Sequence, residues 1–260
     1  MTTRPKQIVI TGAAGTVAQA VIEALAPSCD LTLIDQVAHP SHPTQVLDMA
    51  DFDALVQAIP TDATVIHLGA IPEEADPKLI IHNNIQATFN VFEAARTRGA
   101  DRVIFASTTM IYWGYQVTQK KPAKPLSPLR HCRPTTHYAV SKLYAEHLGY
   151  LYATEHDLSV IGIRLGWYPR KAELQGMATA VEVLEQASHI LIGHEDCKQL
   201  FCRCVEAADV TSIVVNGFSL AGTDYFDLEP GRSVIGYHPQ EDAQAVIRTH
   251  MKRLANISRL

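Results

Sequence analysis

The chain alternates short apolar runs, rich in β-branched residues, with longer segments in which apolar residues recur at helical spacing. The runs that we predict as strands lie at residues 7–11, 31–34, 63–68, 102–106, 159–165 and 213–215. Strands that are apolar throughout and separated by helices are typical of a parallel sheet covered on both faces. The pattern therefore predicts an α/β fold built on a doubly wound parallel sheet.

The helical segments differ in where they fall relative to this alternation. Residues 17–25 and 85–95 lie between predicted strands and belong to the covering layers. Residues 116–135 contain four prolines, which predicts a loop. Residues 167–187 and 243–254 have helical spacing outside the alternation, where a doubly wound fold carries a second lobe.

Composition narrows the class of protein. Of 260 residues, 47% are hydrophobic and 19% are charged, as in ordinary globular proteins, and the net charge of -5 argues against a nucleic-acid-binding surface. No apolar stretch reaches the length of a membrane span, about 18 residues, and the first residues lack the apolar core of a signal peptide. Five cysteines, an odd number, do not favour a disulfide framework. We therefore expect a cytoplasmic protein that binds neither nucleic acid nor membrane.

A glycine-rich segment, TGAAGTVA over residues 11–18, joins the first predicted strand to the first helix. Gly12 permits a tight turn, Gly15 lets the backbone approach a pyrophosphate, and the small Ala18 allows the helix to pack closely on the strand. The start of the helix offers free N–H groups and the positive end of its dipole to the phosphates. The segment predicts a dinucleotide-binding loop, with a plain turn as the alternative.

Asp35 closes the second predicted strand, 20 residues after Gly15. A carboxylate at this position accepts hydrogen bonds from the hydroxyls of an adenine ribose and repels a 2′-phosphate. Gln36 follows where an NADP enzyme often has an arginine. The spacing favours NAD over NADP, against the alternative of a solvated aspartate at a strand end.

Tyr138 and Lys142 lie four residues apart, on one face of a predicted helix. A free tyrosine titrates at about pH 10, and a neighbouring lysine ammonium, together with a nicotinamide cation, favours its phenolate form and lowers that pKa. A third group should hold the substrate oxygen. The hydroxyls at residues 107–109 follow a predicted strand, at the edge where doubly wound sheets bind ligands. These residues predict a proton-transfer centre, and an accidental Tyr–Lys pair on a helix surface is the alternative.

Together these motifs resemble the extended short-chain dehydrogenase/reductase superfamily, which includes the NAD-dependent epimerases and dehydratases. The segments that carry the resemblance are TGAAGTVA at 11–18, Asp35, HLGA at 67–70, Asn84, STT at 107–109 and YAVSK at 138–142. The resemblance implies a Rossmann sheet with a small C-terminal substrate lobe, in a single unit over residues 1–260. The NAD-binding core lies mainly in 1–165, and the lobe lies mainly in 166–212 and 222–260.

The resemblance also implies a role for each matching residue. Tyr138 is the catalytic base, Thr108 is its hydroxyl partner, and Lys142 binds the nicotinamide ribose. Asn84 either positions the catalytic region or bridges structural elements. The implied cofactor contacts are Gly12, Gly15, Thr16, Val17, Asp35, Asp48, Met49, Leu68, Gly69, Ala70, Asn84, Ser107, Tyr138 and Lys142.

Among the shorter members of the superfamily, uronate dehydrogenases look most similar, in length and in the segments HLGAI, NVFEAAR, VIFAS and IRLG. The similarity implies a homo-oligomer that uses NAD to oxidise the anomeric hydroxyl of a sugar or sugar acid to a lactone. The chain departs from that subfamily where Thr109 and Met110 replace Asn-His and Pro72 replaces a serine. Trp167 and Arg170 are further substrate candidates, in a segment where an apparent insertion prevents alignment of the subfamily's carboxylate-binding arginine.

Other interpretations remain open at this point. An epimerase or dehydratase of the same superfamily would keep NAD tightly bound and regenerate it, and a non-enzymatic dinucleotide sensor would bind without turnover. His194, Cys197, Cys202 and Cys204 raise the possibility of a zinc site, but their spacing fits no common zinc pattern. The apolar residues over 197–208 follow helical spacing and predict a buried stripe, so we expect no metal.

Overall fold

The computed structural model describes residues 6–169, 188–242 and 245. Its strands are β1 (Lys6–Thr11), β2 (Cys29–Asp35), β3 (Gln45–Val46), β4 (Thr64–His67), β5 (Arg102–Thr108), β6 (Ser159–Leu165) and β7 (Ser212–Gly217). Its α-helices are α1 (Thr16–Leu25), α2 (Phe52–Ala58), α3 (Pro77–Ile80), α4 (Ala87–Thr97), α5 (His137–Glu155), α6 (His194–Glu206) and α7 (Glu229–Ile235). A π-helix covers Ile81–Gln86, and 3-10 turns cover Thr109–Tyr115, Ser188–Ile190 and Leu220–Gly222.

The seven strands form one sheet in the order β3-β2-β1-β4-β5-β6-β7. Every neighbouring pair is parallel, and the register places Thr11 beside His67. The strand order reverses between β1 and β4, and doubly wound sheets bind ligands outside the carboxyl ends of their strands at such a point. The predicted fold class is confirmed. The pattern missed β3, because its two residues are exposed and carry no apolar run.

Two apolar cores cover the two faces of the sheet, because successive side chains along a strand point to opposite sides. Ile8 and Ile10 of β1 pack in one core with apolar residues of α1 and α6. Val9 and Val65 pack in the other core with residues of α2, α4 and α5. Burial on both faces explains why the strands are apolar along their whole length.

A third apolar cluster joins the proline-rich loop to the chain that follows β7. Val117 and Leu126 from the loop pack with Phe218 and Phe226. The backbone N–H of Asp227 donates to the carbonyl of Leu126 at 3.0 Å. The loop predicted over 116–135 is therefore confirmed, and it is attached to the body by both apolar and hydrogen-bonded contacts.

The division into core and lobe remains a prediction. Helix α6 falls within the predicted lobe range 166–212, yet it packs in the same core as α1, against the sheet. The helices predicted at 167–187 and 243–254 lie largely outside the described residues. Among the described residues, no helix is both long and apolar enough to cross a membrane.

The cysteine cluster lies on α6. Cys197 and Cys204 are buried in the core beside Leu200 and Phe201, as the helical spacing predicted. Ala208, which the predicted stripe included, is exposed, because the helix ends at Glu206 and its spacing does not continue to residue 208.

Candidate active site

A cleft of about 490 Å³ opens at the carboxyl ends of β1, β4, β5 and β6. Parallel sheets of this topology bind ligands at this edge, where the loops leave room between the strands and the helices. The predicted site residues that line the cleft are Gly12, Gly15, Thr16, Val17, Leu68, Ala70, Pro72, Ser107, Thr108, Thr109, Met110, Tyr138, Lys142 and Trp167. The structure thus brings together residues that are more than 150 positions apart in the sequence.

The glycine-rich loop forms one end of the cleft. Gly12 has φ of +73°, in the left-handed region, and a Cβ there would lie 2.4 Å from the backbone nitrogen of Gly69. Gly15 is the N-cap residue of α1, and no side chain caps the helix start. The first turn of α1 carries no acidic residue. Unobstructed backbone N–H groups at a helix start fit the pyrophosphate of a dinucleotide.

Asp35 lies at the end of β2, beside this loop. Its Oδ2 accepts a hydrogen bond from the Ala14 backbone N–H at 2.9 Å, and its Oδ1 accepts one from Val37 at 3.2 Å. A carboxylate has about four lone-pair sites, so two backbone bonds leave acceptor capacity for the hydroxyls of a ribose. Asp35 does not line the cleft itself, and its position fits the adenosine end of the cofactor.

Asp48, Met49 and Gly69, which were also predicted to contact the cofactor, do not line the cleft. Asp48 is held by the Ala50 backbone N–H at 2.9 Å and by the side chain of His82, whose Nε2 lies 2.9 Å from Oδ2. The Met49 side chain fills the space beside Gly69, where a Cβ would lie 2.4 Å from Met49 Cε. We did not predict the His82 contact, because His82 lies 34 residues from Asp48, in a π-helix with no diagnostic pattern.

Tyr138, Lys142 and Thr108 meet at the floor of the cleft. Tyr138 lies in the first turn of α5, whose start is capped by the Thr136 side chain, and Lys142 follows one turn later. The Lys142 Nζ lies 5.9 Å from the centre of the Tyr138 ring. The Thr108 hydroxyl lies near enough to the Tyr138 phenol to lower its pKa. All three side chains are buried, at 7% exposed or less.

Burial controls the ionisation of this group. It raises the pKa of Tyr138, and the Thr108 hydroxyl lowers that pKa in part. Burial lowers the pKa of Lys142 from 10.5 to about 8. We predicted from the sequence that the Lys142 ammonium, together with a nicotinamide cation, would lower the pKa of Tyr138, whereas burial alone raises that pKa. A phenolate therefore needs a further positive charge in the cleft.

Asn84 bridges two elements and does not line the cleft. Its Oδ1 accepts from the Ile71 backbone N–H at 2.8 Å, and its Nδ2 donates to Ser141 Oγ at 3.1 Å. The side chain of Asn84 thereby ties the loop after β4 to the helix that carries Tyr138. These contacts form a structural bridge, and because one of them is to the helix that carries Tyr138, they also fit a role in positioning the catalytic region.

A buried ion pair lies behind Ser107. The Ser107 hydroxyl donates to Glu146 Oε1 at 2.6 Å, and Arg164 Nη2 donates to Glu146 Oε2 at 2.7 Å. Arg164 also donates to the Tyr112 hydroxyl at 2.6 Å. We did not predict this pair from the sequence. Glu146 lies four residues after Lys142 on the same helix face, and that spacing was the available signal.

Four of the predicted substrate contacts, Pro72, Thr109, Met110 and Trp167, line the cleft, and their role in binding a substrate stays a prediction. Sequence reasoning missed Ala106, Trp113, Leu165, Gly166, Tyr168 and Ile190. The carboxyl end of β6 was a signal for the residues at 165 and 166. No sequence feature indicated that Ile190 lines the cleft, because a backbone hydrogen bond between residues 167 and 190 brings it to the cleft. Arg170 lies outside the described residues.

The fold and the cleft define a dinucleotide-binding α/β protein of the short-chain dehydrogenase/reductase type. The model of the NAD dependent epimerase/dehydratase family matches residues 8–167, and the chain belongs to that family.

The chain is 32% identical to the L-arabinose 1-dehydrogenase (NAD(P)(+)) of Haloferax volcanii, over 93% of this chain and 99% of that protein. It is 27% identical to a uronate dehydrogenase of Pseudomonas syringae pv. tomato, over 92% of this chain and 83% of that protein. A crystal structure of a mutant uronate dehydrogenase from Agrobacterium tumefaciens complexed with NAD aligns with a TM-score of 0.76 at 25% identity. That alignment covers 96% of this chain and 89% of the other.

Proposed function

We propose that the protein is an NAD-dependent sugar dehydrogenase, which oxidises the anomeric hydroxyl of a sugar or sugar acid and yields a lactone. The observation that carries the proposal is the meeting of Thr108, Tyr138 and Lys142 at the floor of the cleft. The relatives named above, an arabinose dehydrogenase and uronate dehydrogenases, support the same reaction class.

The residues around the cleft fit NAD. Gly12 and Gly15 would hold the pyrophosphate at the start of α1, and Asp35 would hold the adenine ribose. Ser107 and Lys142 would lie at the nicotinamide end, with Leu68 and Ala70 along the wall between. When bound there, NAD supplies the acceptor for the hydride that leaves the oxidised carbon and the positive charge that the phenol lacks.

The chain's own groups handle the proton. Tyr138 in its phenolate form takes the proton of the sugar hydroxyl, and the C–O bond becomes a carbonyl as the C–H bond breaks. Thr108 hydrogen-bonds the reacting oxygen and keeps it next to the phenol. Lys142 stabilises the phenolate through its charge.

The test is NADH formation from aldoses, uronates and sugar phosphates, with NADP in parallel, by the wild type and by Tyr138→Phe. We expect turnover to fall by about 10²–10⁴-fold, the usual contribution of a general base, while NAD affinity is retained. The matched control is Tyr150→Phe on the same helix, which removes the same hydroxyl from a side chain that does not line the cleft.

Other outcomes would redirect the proposal. Retained activity in Tyr138→Phe would refute the assigned base. If no sugar yields NADH but NAD is found bound to the purified protein, the epimerase alternative is favoured. NAD binding without turnover of any substrate, together with partner binding that depends on the redox state of the nucleotide, would favour the sensor.

We also propose a homodimer formed through α4 and α5. Their outer surfaces expose Phe89, Val140, Tyr150 and Leu151, each at 41% or more, and a second copy would cover them. The mass in solution, measured by light scattering for the wild type and for Phe89→Glu, tests this assembly. A cytoplasmic location stays a prediction from the cysteine content.

A further inference from the structure

The buried ion pair behind the cleft fixes the direction of the hydrogen bond between Ser107 and Glu146. Arg164 donates to Glu146 Oε1 through Nε at 2.9 Å and to Oε2 through Nη2 at 2.7 Å, and both side chains are 8% exposed or less. A carboxylate that is paired with a guanidinium in this way accepts hydrogen bonds and has no proton to donate. The Ser107 hydroxyl, 2.6 Å from Glu146 Oε1, is therefore the donor.

The other side of Arg164 is held in an equally fixed direction. Its Nη1 donates to the Tyr112 hydroxyl at 2.6 Å, and that hydroxyl donates to Asn216 Oδ1 at 3.1 Å. The Asn216 amide nitrogen donates to the carbonyls of Leu126 and Asp227, each at 3.0 Å, so the amide oxygen is the atom that faces Tyr112. Because the guanidinium is held from both sides, it stays on the carboxylate, and the carboxylate stays an acceptor.

This arrangement limits what Ser107 can offer to a ligand. A hydroxyl has one hydrogen and two lone pairs, and Glu146 takes the hydrogen. Ser107 lines the cleft beside Thr108, so it presents lone pairs there. A group that can only accept binds an N–H or an O–H and does not bind a carbonyl oxygen, whereas an unconstrained hydroxyl binds either.

The nicotinamide of NAD carries a carboxamide, which has an NH₂ donor on one side and a carbonyl acceptor on the other. We propose that Glu146 is a positioning residue that holds the Ser107 hydroxyl as an acceptor, and that Ser107 accepts a hydrogen bond from the carboxamide N–H. The inference rests on the proposed function only in placing the nicotinamide beside Ser107. The juxtaposition of a hydroxyl in the cleft lining with a buried ion pair that takes its proton carries it.

The experiment measures the dissociation constants of three nucleotides by titration calorimetry in the absence of a sugar. NAD is compared with acetylpyridine adenine dinucleotide, in which a methyl group replaces the NH₂, and with thionicotinamide adenine dinucleotide, which keeps the NH₂ and carries sulfur in place of the carbonyl oxygen. In Ser107→Ala, we expect the ratio of Kd for the acetylpyridine analogue over Kd for NAD to fall about three- to tenfold, as for the loss of one neutral hydrogen bond. The thionicotinamide ratio should not change. Ser212→Ala, at an exposed position, is the control and should change neither ratio.

Two further variants test Glu146 while the Ser107 hydroxyl is retained. Glu146→Leu combined with Arg164→Met removes both charges together, which a buried site tolerates better than the loss of one. Glu146→Asp keeps the charge opposite Arg164 and draws the carboxylate back by one methylene. In both variants the Ser107 hydrogen can turn toward the cleft and bind the carbonyl of the acetylpyridine analogue, so we expect the acetylpyridine ratio to fall. A purely structural loss would weaken the binding of all three nucleotides alike and would leave the ratios unchanged.

Several results would overturn the inference. An unchanged acetylpyridine ratio in Ser107→Ala overturns the carboxamide contact, and a rise in the KM of the sugar in that variant would then assign the acceptor to a sugar hydroxyl. A change confined to the thionicotinamide ratio would mean that Ser107 donates to the carbonyl. An unchanged acetylpyridine ratio in either folded Glu146 variant overturns the role of Glu146.

The proposed function fails in a different way. Absence of NAD binding to the wild type overturns both proposals. NAD binding without oxidation of any sugar removes the proposed reaction alone, because the nucleotide titrations need no sugar.

Discussion

We expect acid to destabilise the protein through His67, because the folded chain holds this ring in its neutral form. The ring is 2% exposed at the end of β4, with Nδ1 2.7 Å from Thr11 Oγ1 and Nε2 3.0 Å from Thr88 Oγ1. Burial lowers the pKa of His67 from 6.5 to about 3, and the positive charge of Lys142 acts in the same direction.

The magnitude follows from the difference between the folded and unfolded pKa values. The unfolded chain binds a proton at His67 below about pH 6.5, whereas the folded chain resists protonation down to about pH 3. The stability contributed by the neutral ring is complete above pH 6.5 and is lost progressively as the pH falls. At about pH 4.5, two units below the unfolded pKa, the loss is about 3 kcal/mol. Domains of this kind are stable by about 5–15 kcal/mol, so the loss is readily measured.

The assay is urea unfolding at pH 7.5 and 4.5, followed by circular dichroism, for the wild type and His67→Gln. Glutamine keeps a donor and an acceptor for the two threonine hydroxyls but does not titrate. We expect the wild type to lose about 3 kcal/mol more than the variant between the two pH values. His238→Gln, at an exposed position, is the control and should behave as the wild type.

Equal losses in wild type and His67→Gln would refute the reasoning. They would mean either that the ring is accessible to protons in the folded state or that it titrates with its ordinary pKa.

Two further predictions concern the cofactor end of the cleft. Gly12→Ala should cost at least about 1–3 kcal/mol of stability and weaken NAD binding, because its Cβ would lie 2.4 Å from Gly69 and φ is +73°. Thermal unfolding and NAD titration check this, with Gly231→Ala as the control, where the nearest heavy atom is 3.7 Å from the added Cβ. Asp35→Ser should raise the ratio of kcat/KM with NADP over NAD about tenfold, because the repulsion of a 2′-phosphate is removed; steady-state kinetics with both cofactors measure it.

A different result would contradict each of these two predictions. Equal losses of stability in Gly12→Ala and Gly231→Ala would mean that the close approach of the loops at Gly12 does not matter. An unchanged cofactor ratio in Asp35→Ser would place the adenine ribose away from Asp35 and would remove the structural reason for preferring NAD.

The features that could be predicted from sequence are local in their physical cause. Strands that are buried on both faces are apolar along their whole length, so the sequence pattern was sufficient to predict the parallel sheet. The phosphate loop and Asp35 depend on fixed spacings within one β-α-β unit, and Tyr138 and Lys142 depend on the period of one helix. For these residues, the order of the chain already determines which side chains share a surface.

Tertiary structure alone decided the rest. The buried pair of Glu146 and Arg164 behind Ser107 joins residues that are 18 and 39 positions apart, and Ile190 reaches the cleft through a backbone pairing with Trp167. The direction of the Tyr138 pKa is also a tertiary property, since it depends on how much water the assembled cleft excludes. Spacing in the sequence determines which side chains are neighbours along one helix or strand. The packing of helices and strands against one another determines how deeply those side chains are buried, and burial shifts the pKa values of the titratable ones.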